Sequence, residues 1–74
     1  MTEAEARAAL RAHDGIGGLE PWLADQPWRP APGGWQIARD LDGWRCRMQP
    51  TEDGLRMTAT APGGGVPAVW TVPR

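Results

Sequence analysis

A chain of 74 residues has room for one domain, and a domain this small buries only about 60 to 65% of the surface its unfolded chain exposes, so few side chains must make its core. All eight basic residues are Arg and all five aromatics are Trp, while Lys, Asn, Phe, Tyr and Ser are absent; the first four of these have A/T-rich codons, so a high-GC bacterial genome explains their absence without a functional cause. The formal net charge of -1 excludes the basic excess of a nonspecific nucleic-acid binder, so any such binding has to come from a local patch.

The chain opens Met1, Thr2, Glu3 with no basic stretch leading into an apolar one, and no apolar run approaches the length of a membrane span. A soluble cytoplasmic protein without membrane contact is the expectation. Thr2 with Glu5 three residues later forms a capping box, and Glu3 with Arg7 an i,i+4 pair, which together predict a helix to about Ala12 or His13. Ala6, Ala9, Leu10 and His13 share one stripe of it, and Gly15, Ile16, Gly17 and Gly18 end it. Leu19 to Asp25 predicts a short second helix with Pro21 in its first turn and Leu19, Trp22 and Leu23 as apolar cargo. Residues 26–34 hold Pro27, Pro30 and Pro32 and read as an extended connector carrying Trp28.

From Trp35 onward the pattern changes period. Residues 35–39, 44–49, 55–61 and 68–72 alternate apolar with mostly polar side chains, as half-buried antiparallel strands do. Four-residue loops at Asp40 to Gly43 and at Pro50 to Asp53 set Trp35 opposite Met48, Met48 opposite Leu55 and Cys46 opposite Met57. The last hairpin then sets Ala59 opposite Trp70. The inward face is Trp35, Ile37, Trp44, Cys46, Met48, Leu55, Met57, Ala59, Trp70 and Val72, with Ala59 between two indoles. The predicted fold is α+β: one or two N-terminal helices packed on a four-stranded antiparallel meander. It forms a single domain in which residues 2–25 are helical, 26–34 the connector and 35–73 the sheet.

The opposite face carries Gln36, Ala38, Arg45, Arg47, Gln49, Arg56, Thr58, Thr60, Val69 and Thr71, and no acid. The predicted register places Arg47 across from Arg56, a like-charge pair that an anionic partner would relieve. Arg45, Arg47, Arg56, Thr58 and Gln36 are therefore the candidate binding residues, with Trp28 as a candidate stacking residue. Asp40, Asp42, Glu52 and Asp53 read as turn formers at opposite ends of the sheet rather than a metal site. His13 beside Asp14 has no nucleophile near it in sequence and reads as a helix C-terminal residue answering the dipole. Cys46, on the inward parity, reads as an inert buried thiol, and Gly63 to Gly65 as a flexible loop between strands. The expected function is that of a small non-catalytic interaction module, accessory, regulatory or immunity-type, needing no cofactor and docking an acidic protein on its Arg and Thr face. The alternative is single-stranded nucleic acid on the same face.

Overall fold

The computed structural model describes residues 1–15 and 17–74; Ile16, in the segment expected to end the first helix, lies outside the described residues. Helix α1 spans Glu3–Ala12 and α2 spans Leu19–Ala24. The strands are β1 Trp28–Ala31, β2 Gly34–Ile37, β3 Arg45–Thr51, β4 Gly54–Thr60 and β5 Ala68–Pro73, all antiparallel in the order β1-β2-β3-β4-β5. The fold is α+β, with two short helices before a sheet of five strands rather than four.

The capping box forms as the spacing predicts. The Glu5 amide donates to Thr2 Oγ1 at 3.1 Å, and the Thr2 amide donates to Glu5 Oε1 at 2.8 Å. Hydrogen bonding to the carboxylate from the Thr2 amide, and secondarily from the Thr2 side chain, holds the Glu5 carboxyl below its ordinary value, because it favours the ionised form. Arg7 pairs with Glu3 at 3.2 Å, and its guanidinium also reaches the carbonyls of Ala24 at 2.6 Å and Gln26 at 2.9 Å. Arg7 thus closes the C-terminal end of α2 from a neighbouring helix, satisfying the Ala24 carbonyl that α2 leaves without an intrahelical partner and the Gln26 carbonyl just beyond it.

The fifth strand comes out of the expected connector. Pro32 and Gly33 form a two-residue turn between paired Ala31 and Gly34, with Gly33 at φ 81, the conformation a Pro-Gly turn requires of its second residue. Pro30 is tolerated because β1 is an edge strand. Trp28 then pairs with Ile37, is buried, and donates its indole N–H to the Leu23 carbonyl at 2.9 Å.

The first register holds, with Trp35 opposite Met48. The next two are displaced by two residues from the expectation. Met48 faces Met57, Pro50 faces Leu55, and Cys46 faces Ala59. The turn is only Glu52 and Asp53, closed by Gly54 at φ 151, with Thr51 Oγ1 donating to the Gly54 carbonyl at 3.3 Å. The last hairpin carries the same displacement, so Met57 faces Trp70 and Ala59 faces Ala68. Since side chains alternate with period two, a slip of two leaves every residue on its predicted face.

Ala6, Leu10, Leu23 and Ala24 from the helices meet Trp28, Ile37, Cys46, Met48, Leu55, Met57 and Val72 from the sheet in one buried cluster. Each large side chain in it contributes roughly 1.5 to 3 kcal/mol by leaving water. Trp22 and Trp44 depart from the expected core, being 48% and 44% exposed. Trp44 lies just before β3 in a loop bridged to Leu41, and Trp22 sits on the far side of α2 from buried Leu23 and Ala24. Among the described residues no helix is long and apolar enough to cross a membrane.

Candidate functional site

The outer sheet face is built by the registers. Arg29, Gln36, Arg47, Thr58 and Val69 form one cross-strand row through all five strands. Arg45 lies beside it opposite Thr60, and Arg56 opposite Gln49 and Thr71. The structure therefore gathers Arg45, Arg47, Arg56, Thr58 and Gln36 on one face, as their parity predicts. The direct Arg47–Arg56 opposition does not occur, because the two-residue displacement sets Thr58 across from Arg47 and Gln49 across from Arg56. Trp28 falls on the other face, in the core, where no base can stack on it.

Arg47 donates to the Pro32 carbonyl at 2.9 Å, which fixes its guanidinium over the β1–β2 turn. Arg29, Arg45 and Arg56 are exposed and make no hydrogen bond or ion pair among the described residues. The strands place no carboxylate on this face.

Two residues missed in the sequence enlarge the site. Arg29 joins through β1, and Arg39, just past β2, donates to Gln26 Oε1 at 3.3 Å. Arg29, Arg39 and Arg45, with Gln36, Asp40 and the indole of Trp44, line an open groove of about 420 Å³. Its one acid is engaged within the loop, since Asp40 Oδ1 accepts from the Gly43 amide at 2.6 Å. The Pro32-Gly33 turn between two apolar-rich tetrads was the only signal for Arg29. Nothing in the periodicity pointed to Arg39.

Trp44 also borders a second groove of about 450 Å³, walled by Leu19, Trp22, Leu41 and Trp70 with Ala59 among them, and lined as well by Arg39, Asp40 and Asp42. Ala59 does lie with Trp44 and Trp70, but in an open concavity rather than a closed core. The Trp70 indole N–H is buried and has no hydrogen-bond partner among the described residues. Cys46 also borders this groove; burial pushes its thiol up, which keeps it protonated and a poor nucleophile at neutral pH.

His13 is the C-cap residue of α1, but its Nδ1 lies 3.3 Å from Oε1 of the fully buried Glu20, so a carboxylate faces it in addition to the helix end. The acids Asp40 and Asp42 belong to the β2–β3 loop, whereas Glu52 and Asp53 sit in the turn at the other end of β3. Comparison with protein families, with curated protein sequences and with solved structures finds no match to this chain.

Proposed function

We propose that this chain is a small non-catalytic interaction protein, accessory, regulatory or immunity-type, that docks an acidic protein surface on the outer face of its sheet. The observation that carries this reading is the set of exposed guanidiniums on Arg29, Arg45 and Arg56, unpaired among the described residues, on a face whose strands contribute no carboxylate. The nine acids are placed in helices, loops and turns instead. Arg also suits the role, since its planar fork binds carboxylates in bidentate fashion. A catalytic role has weak support from the titratable groups: the one imidazole faces Glu20 and the one thiol is buried.

A second reading, single-stranded nucleic acid on the same face, draws support from Trp44. Its exposed indole stands in the groove of Arg29 and Arg45, in the position of a stacking residue.

One variant separates the readings. Arg29→Gln with Arg45→Gln and Arg56→Gln should abolish capture of one reproducible acidic protein from host extract, while the parent binds a single-stranded oligonucleotide no better than millimolar at physiological salt. For the nucleic-acid reading the parent affinity is instead micromolar and falls with salt at a log-log slope of about -2 to -3, as neutralising three or four phosphates requires. Parent and variant behaving alike toward both probes would refute the use of this face.

A further inference from the structure

The Arg-lined groove and the Trp-lined groove are contiguous, because Trp44, Arg39 and Asp40 border both. Building on the acidic-partner reading, we infer that this double groove recognises an extended peptide segment of that partner, in which an acidic side chain stands within a few residues of a bulky apolar one. The acid lies among Arg29, Arg39 and Arg45. The apolar side chain enters between Trp22, Trp44 and Trp70.

Charge complementarity argues for the first half. Three guanidiniums line that groove, Arg29 and Arg45 have no partner among the described residues, and the single acid there is held by the Gly43 amide. Exposed apolar surface argues for the second. Isolated exposed apolar residues are ordinary, but here two nearly half-exposed indoles border one concavity together with Leu19 and Leu41. Concave apolar sites beside a few oriented polar groups are the usual form of a pocket that anchors one side chain of a partner. Contiguity joins the halves: an extended chain rises about 3.3 Å per residue and points successive side chains to opposite sides, so one short segment serves both grooves. A peptide brings backbone carbonyls that accept from the guanidiniums its carboxylate does not reach, whereas an acyl chain with one anionic head has no further acceptor, which favours a peptide as occupant.

The test is selection of a random displayed peptide library on the immobilised full chain, followed by calorimetry with the winning synthetic peptide. Winners should carry Asp or Glu within about three residues of Trp, Phe, Leu or Met. Trp22→Gln should weaken the winning peptide by about tenfold or more while preserving its salt dependence. Arg29→Gln with Arg45→Gln should weaken it comparably and remove most of that salt dependence. All three side chains are exposed, so both variants should melt close to the parent; Trp22→Ala, which keeps a strong helix former in α2, replaces Trp22→Gln if the latter does not. Loss in the Arg variant without loss in the groove variant overturns the double site and leaves the acidic-partner reading intact. The converse overturns both, as do winners without Asp or Glu; winners without a bulky apolar side chain, or no winners, overturn the double site alone. Displacement of the peptide by micromolar laurate would overturn the choice of occupant.

Discussion

Gly54 closes the β3–β4 turn at φ 151, a region of backbone space that residues with a Cβ avoid, and a Cβ there would press on the Val72 carbonyl of the neighbouring strand. Gly54→Ala should therefore cost about 1 to 3 kcal/mol, read as a lower denaturant midpoint with an unchanged slope. An unchanged midpoint would mean that the turn takes another form. This residue also explains what was illegible. Thr51, Glu52, Asp53 and Gly54 satisfy a two-residue turn as well as the four-residue loop Pro50 to Asp53, and both put the same side chains inward. Composition alone does not choose between them. The Arg47–Arg56 opposition expected from the longer loop fell with it, whereas membership of both residues in one face survived.

Helix α1 was legible almost to the residue because its start is written in local chemistry, a cap and a reciprocal acid. Thr2→Ala should lower stability by about 1 kcal/mol near neutral pH. The Glu5 half of the box has a direction in pH. Its folded-state carboxyl lies below the ordinary value, so its contribution is present in full above the unfolded pKa and is lost as pH falls through the folded one. Thermal melts of parent and Glu5→Gln should converge as the solution is acidified through that range, since protonation leaves the parent with a neutral side chain there too, and a gap that widened would contradict the assignment. Strand β1 was hidden for the opposite reason. Three prolines in 26–34 mask a hairpin whose only overt sign is Pro32-Gly33, and an edge position makes Pro30 harmless. Trp22 and Trp44 were misplaced because periodicity reports which way a side chain faces and not whether anything covers it.

Across the molecule, the two layers are pinned at a few named points. Trp28 joins the edge strand to the end of α2 through the Leu23 carbonyl, and Arg7 ties α1 to the same end through Ala24 and Gln26. Trp28→Phe removes one partner of a buried pair and should cost about 1 to 3 kcal/mol, checked by urea denaturation; a loss below a few tenths would show the bond to be dispensable. Charge is segregated along with the layers. Glu3, Glu5, Asp14, Glu20 and Asp25 accompany only Arg7 and Arg11 in the helical layer, while the outer strands carry Arg without acid. The molecule is electrically two-sided despite a formal charge of -1, and the proposed docking of an acidic partner on the sheet draws on that asymmetry.

Trp44 is a common wall of two grooves, and a common wall is a coupling element. A ligand group that turns this indole to fit one groove reshapes the other, and the work of that turn appears in the affinity of whatever binds second. By reciprocity the same factor acts in either direction, so if both grooves are filled as proposed, the anion and the apolar group tune each other through whatever movement the shared indole makes. The sign of that cooperativity is set by whether both occupants want the same rotamer of the shared indole.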